Sequence, residues 1–199
     1  MKEITTKEEL ETFKSSKLAV LFTTDASETS SVEKFKTFSM NYEDMPFAYT
    51  FSDELKSSLE ITSKFAFVVF RNFDDGTKFL VMDELKDLTS FKTFFESVRY
   101  PLVMDFDQDA AERIFGSQSS AMFYFSDEKD AGFETFKEFA KNNTNKIFFS
   151  HSTITTDLGA RLAEFIGITT EDKGSVRIIK FNGGNLDKFK VTDITAEGL

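Results

Sequence analysis

The sequence predicts an α/β protein made of two consecutive domains, each a central mixed β-sheet flanked by helices. Three observations predict it. Short apolar runs suited to buried strands, such as Phe65-Ala66-Phe67-Val68-Val69-Phe70, alternate with amphipathic stretches. The same order of elements occurs twice, over residues 1–99 and 100–199. The charge also divides evenly: 13 basic and 18 acidic residues lie up to Arg99, and 11 and 16 after it, which leaves −5 on each half.

In the first half, Thr6 caps a helix over Lys7 to Phe13, with Glu9 in the capping-box position. Leu18 to Phe22 is a buried strand, and Thr23 to Ser31 a polar loop. Val32 to Asn41 is an amphipathic helix with Val32, Phe35 and Phe38 on one face. Phe47 to Phe51 is a strand entered through Pro46, Asp53 to Leu59 a short helix, and Phe65 to Phe70 a strand. Asp74-Asp75-Gly76 turns the chain into a hairpin partner, Lys78 to Val81. Leu88 to Val98 closes the half as a helix.

The second half repeats this order. Leu102 to Met104 is a strand, Gln108 to Phe115 a helix, and Ser120 to Phe125 a strand. A polar loop, Ser126 to Gly132, leads to a helix over Phe133 to Lys141. Lys146 to Ser150 is a strand, and Leu158 to Phe165 a helix stopped by Gly167. Val176 to Phe181 and Leu186 to Val191 form a hairpin about Asn182-Gly183-Gly184-Asn185. Ile194 to Glu197 reads as the start of a closing helix that the chain ends within. Strands joined through helices call for parallel crossovers, and each final hairpin adds an antiparallel edge.

Composition removes several function classes. There is no cysteine, so disulfides, thiolate metal sites and thiol nucleophiles are excluded. The one histidine, His151, excludes a two-histidine metal site, and no G-x-S-x-G elbow presents a serine to it. His151 follows a strand end, where a solvated loop histidine is expected. A net charge of −10 argues against nucleic acid. No apolar run approaches the ~20 residues of a membrane span, so no membrane is expected as a partner. No secretory signal precedes the first helix. The 26 Phe, with no Trp and 4 Tyr, give a core without polar atoms and a potential for sticky surface.

The remaining motifs read plainly. Asp74-Asp75, Asp83-Glu84, Asp53-Glu54 and Glu43-Asp44 are solvated turns without EF-hand spacing. Gly183-Gly184 is a hairpin turn with no helix behind it to hold a phosphate. Asn142-Asn143-Thr144 is a glycosylation triplet. Periodicity alone places Phe133, Phe136 and Phe165 in the core.

Particular residues carry a resemblance to a known family. Arg161-Leu162-Ala163-Glu164-Phe165-Ile166-Gly167-Ile168, then Thr169 to Asp172 and Val176-Arg177-Ile178-Ile179, resemble the second non-catalytic domain of protein disulfide isomerases. Pro101-Leu102-Val103 and Ile114-Phe115-Gly116 do so too. Ser63-Lys64-Phe65 and Val68 to Gly76 resemble the first non-catalytic domain. The resemblance covers the whole chain and implies two tandem thioredoxin-like domains, both redox-inactive. The loops that match the catalytic Cys-x-x-Cys are Thr24-Asp25-Ala26-Ser27 and Ser126-Asp127-Glu128-Lys129, and neither holds a thiol.

The resemblance implies a non-catalytic core, with no cofactor and no metal, that binds unfolded or misfolded polypeptide in an apolar pocket of the second domain. It implies cysteine-bearing thioredoxin domains of the same full-length chain as neighbours, an isomerase as the full-length protein, and the endoplasmic reticulum lumen as location. Carried over by position, the pocket lining is Phe136, Leu162, Phe165 and Phe189, with Asn143 at a position that is usually aromatic. Two other readings of the same features are an acidic calcium-storage protein similar to calsequestrin and a redox-inactive adaptor or chaperone.

Overall fold

Thr6 starts the first helix as its side chain suggests. In the computed structural model, which describes residues 1–143, 147–155, 157–183 and 185–192, Thr6 Oγ1 accepts the Glu9 amide and the Glu9 carboxylate accepts the Thr6 amide. The chain divides into two compact units, Met1–Pro101 and Leu102–Leu199.

The first unit runs β1 (Lys2–Glu3), α1 (Lys7–Lys14), β2 (Leu18–Thr23), α2 (Thr29–Ser39), β3 (Phe47–Thr50), α3 (Asp53–Ser58), β4 (Phe65–Arg71), β5 (Lys78–Met82) and α4 (Thr89–Val98). Its sheet has the order β1-β3-β2-β4-β5. β1 and β2 lie parallel to β3, whereas β4 is antiparallel to β2 and β5 to β4. The parallel crossover expected between β3 and β4 is not made. The chain instead turns back through the six residues of α3, and β4 starts where β3 ended, as its pairing with β2 requires.

The second unit repeats the pattern with β6 (Met104–Asp105), α5 (Gln108–Ala111), β7 (Ala121–Phe125), α6 (Ala131–Asn142), β8 (Phe148–Ser152), α7 (Asp157–Ile166), β9 (Ser175–Asn182) and β10 (Asn185–Val191). The sheet order is β10-β9-β7-β8-β6. α5 continues into a π turn over Glu112–Gly116, where one unbroken α-helix was expected. Gly167, at φ +82°, ends α7 by letting the Gly167 and Ile168 amides reach back to Glu164 and Ala163. The expected closing helix at Ile194 to Glu197 lies outside the described residues.

Each sheet buries both faces. In the first unit, α1 and α3 cover Leu21, Ala48 and Val68, while α2 and α4 cover Phe22, Phe67 and Val69. In the second, α6 covers Met122, Tyr124 and Val176, and α7 with the π turn covers Phe123, Phe125 and Ile179. These are the all-apolar strands the sequence showed, since a central strand covered on both sides has no polar face to keep.

Candidate functional site

An open aromatic surface lies over α7. Phe165 sits in its last turn and is 47% exposed. Leu162, one turn earlier, is buried beneath it, so one helix supplies both floor and rim. Phe115, from the π turn, meets Phe165 edge-on at 5.9 Å and Phe181 of β9 at 6.1 Å. Phe106 stands behind Phe115 at 6.4 Å. From β10, Lys188 lays its ammonium 4.1 Å from the Phe165 ring centre and donates to the Phe165 carbonyl. The result is a ridge of edge-to-face rings beside one cation, favourable for apolar and aromatic side chains.

The four residues carried over for the pocket do not meet. Leu162 and Phe165 belong to this surface. Phe136, on α6, is fully buried on the opposite face of the sheet, 5.7 Å from Tyr124 and 5.7 Å from Phe149. Phe189 is 50% exposed, but it stands opposite Ile178 on the α6 face. Asn143 caps α6 on that same side, with Nδ2 donating to the Phe139 carbonyl at 2.9 Å. Phe115, Phe181 and Lys188 were absent from the carried-over set. The one sequence signal for them is the Ile114-Phe115-Gly116 triplet.

A family model described as a thioredoxin-like domain matches residues 5–199. The chain belongs to the thioredoxin-like domain family. It is 27% identical over 172 residues to the protein disulfide-isomerase of Gallus gallus, covering 83% of this chain and 33% of that protein. To the protein disulfide-isomerase of Oryctolagus cuniculus it is 25% identical over 192 residues, covering 93% and 37%. It thus spans about a third of the length of these curated relatives. The crystal structure of the bb fragment of ERp72 superposes with a TM-score of 0.63 at 15% identity, over 96% of this chain and 89% of that one. The tandem thioredoxin-like architecture and the resemblance to the isomerases' middle domains both hold.

The resemblance matches the loop after the second strand of each unit to the catalytic Cys-x-x-Cys of the isomerases. In the second unit that loop is tied down by His151. The solvated loop histidine expected from the sequence is instead buried within β8, because the strand runs on through Ser150-His151-Ser152 under cover of Phe133, whose ring lies 5.2 Å away. Its Nε2 lies 3.1 Å from the Ser126 carbonyl and 3.0 Å from Ser126 Oγ. A carbonyl only accepts, so a hydrogen on Nε2 would satisfy this contact. Ser126 Oγ–H donates to the Glu128 carbonyl at 2.5 Å. Nδ1 faces Asp105 Oδ1 at 3.3 Å, and Lys129 reaches the same carboxylate at 2.8 Å. Burial pulls the Asp105 carboxyl up, but Lys129 and His151 together outweigh it, and it lies below its ordinary value. Serine, histidine and aspartate therefore meet here as a structural clamp.

The first unit treats the same place differently. Lys56 on α3 is buried and holds Asp25 at 2.7 Å, while Lys64 holds Glu28 at 2.5 Å. Both carboxyls are held below their usual range by those lysines. Among the described residues, no group of three or more acidic or histidine side chains is placed to hold a metal ion.

Proposed function

We propose that this chain is the non-catalytic, polypeptide-binding core of a protein disulfide isomerase in the endoplasmic reticulum lumen. Its second unit binds unfolded or misfolded clients, and the pair of units spaces cysteine-bearing domains of the full-length protein. The observation that supports the reading is Phe165, a large aromatic ring left 47% exposed at the end of an aromatic ridge centred on Phe115. Large half-exposed rings with an apolar surround mark binding surfaces more than packing. Unfolded chains offer exposed apolar side chains, and a shallow ridge buries them without demanding a sequence. Ordering a flexible client offsets much of that burial, so affinity falls in the micromolar range or weaker.

Fluorescence anisotropy of a labelled, permanently unfolded client tests this. Phe165→Asp should weaken binding about tenfold or more. Phe189→Asp, on the opposite face, should leave it unchanged. Equal binding by Phe165→Asp and the unsubstituted chain would remove the surface from consideration.

A further inference from the structure

We propose that this chain pairs with a second copy of itself through the outer edge of β5, continuing the first unit's sheet across a two-fold axis. β5 is the last strand of its sheet, and its ladder is made to β4 alone. Among the described residues, no backbone hydrogen bond leaves residues 78–82 on the other side. An open edge of this kind is a template for another strand.

Natural edge strands are usually guarded by charge, and β10 is. It holds the equivalent position in the second unit and exposes Asp187, Lys188 and Lys190 along its length. β5 is not guarded in this way. Its one charge, Lys78, is paired with Asp75 at the turn. Phe79 and Val81 project from one face of it, 46% and 53% exposed, and belong to neither core cluster of their unit.

The strand's own sequence selects a second copy as the occupant. Antiparallel pairing centred on Leu80 sets Phe79 opposite Val81 of the second copy, and the symmetry makes that contact twice. Aromatic and β-branched side chains directly opposite each other are favourable cross-strand pairs. The same register sets Lys78 opposite Met82 of the second copy, next to the acidic Asp83-Glu84 that follows its β5. A basic start and an acidic end, Asp83-Glu84, thus meet head to tail, whereas parallel pairing would set Lys78 against Lys78. The contact is isologous and closes at two copies. It lies in the first unit and does not rest on the client-binding reading.

Sedimentation equilibrium of the 199-residue chain, from micromolar to millimolar concentration, tests the proposal. A monomer–dimer equilibrium is expected. The double variant Phe79→Lys with Val81→Lys should raise its dissociation constant about tenfold or more, because like charges then face each other across the seam. Both positions are exposed, so far-UV circular dichroism should not change. Phe165→Asp should leave the dimer intact. In a chain with no other cysteine, Leu80→Cys should give a disulfide-linked dimer on mild oxidation, whereas Phe189→Cys should not. A chain that stays monomeric at every concentration overturns the proposal. So does a dimer indifferent to the double lysine variant, or one cross-linked equally well through either cysteine.

Discussion

α3 and α7 occupy the same place in the two units, between the third and fourth main strands, yet they differ in length by four residues. α3 spans six residues and stops at Ser58; α7 spans ten and carries Phe165 in its last turn. The extra turn changes which apolar surface each unit presents. In the second unit it raises an aromatic ridge against β9 and β10, where Lys188 and Lys190 occupy the outer strand. In the first unit no such turn stands beside the hairpin, and the outer strand itself shows Phe79 and Val81. One fold thus exposes hydrophobic side chains in two ways, on a helix rim suited to irregular clients and on a strand edge suited to a defined partner.

The comparison fails if exposed and buried phenylalanines weigh the same in the fold. Phe91 lies fully buried on α4, stacked 4.3 Å from Phe67 and edge-on 5.5 Å from Phe35. Phe91→Ala should cost about 3–5 kcal/mol, read as a fall in the urea midpoint. Phe165→Ala should cost less than about 1 kcal/mol while impairing client binding. Similar losses from the two variants would mean that Phe165 is a core residue and the ridge only packing.

Gly132 sharpens the second unit's side of the comparison. A Cβ there would lie 2.2 Å from the Tyr124 hydroxyl and 3.1 Å from its ring, so the start of α6 is built against that tyrosine. Gly132→Ala should destabilise by about 1–3 kcal/mol even though alanine favours helices. Adding Tyr124→Phe should return part of the loss by removing the hydroxyl, and strict additivity of the two would break the argument.

Tyr124→Phe alone should cost about 1 kcal/mol. The hydroxyl donates to Asp130 Oδ1 at 2.7 Å, and the same oxygen caps α6 through the Phe133 amide. Burial, then the Asp130 contact, push the Tyr124 hydroxyl up to about 12. The Tyr124 hydroxyl, then the Phe133 amide, hold the Asp130 carboxyl below its ordinary value. A depressed carboxyl adds stability above its unfolded-state value, and that stability is lost as pH falls through the folded value. Thermal melts from pH 7 to about pH 3 should therefore show a shallower acid decline in Tyr124→Phe than in the unsubstituted chain. Parallel declines would detach Asp130 from Tyr124.

Much of this architecture was legible because periodicity reports burial. The all-apolar β4 and β7, the Thr6 capping box and the Gly167 stop all follow from side chains acting locally. β1 and β6 were harder, since each is only two residues long and exists through its partner strand. Leu102 and Val103 look like strand residues but fill the α6-face core from a loop, and the ladder starts at Met104. His151 is hard to place because a polar Ser-His-Ser stretch gives no apolar signal, and its ladders to β7 and β6 are what make it strand. The pocket residues divide between two faces for a different reason. Helical spacing shows that Phe136 and Leu162 face inward, but not toward which side of the sheet. That information sat in the connections. The chain steps one way across the sheet from β6 to β7 and back from β7 to β8, so right-handed crossovers put α6 opposite α5; α7 joins antiparallel strands, which that rule does not govern, and only its packing shows that it shares the α5 face.

The smallest expected effect concerns the two thiol-free loops. Thr23 ends β2 fully buried, and its hydroxyl has no hydrogen-bond partner among the described residues; Thr24 beside it is the same. In the second unit, Ser126 holds the place of Thr24, the first residue after the strand, with its hydroxyl bonded to the Glu128 carbonyl and beside His151. A buried hydroxyl without a partner is a desolvation penalty with no return, and valine has nearly its shape. Thr23→Val should therefore leave stability unchanged or raise it by up to about 1 kcal/mol, whereas Ser126→Ala should lower it by about 1 kcal/mol. Urea midpoints of the two variants give the signs. A loss at Thr23 as large as that at Ser126 would show that the first unit's hydroxyl is satisfied by solvent, and that the two loops are alike after all.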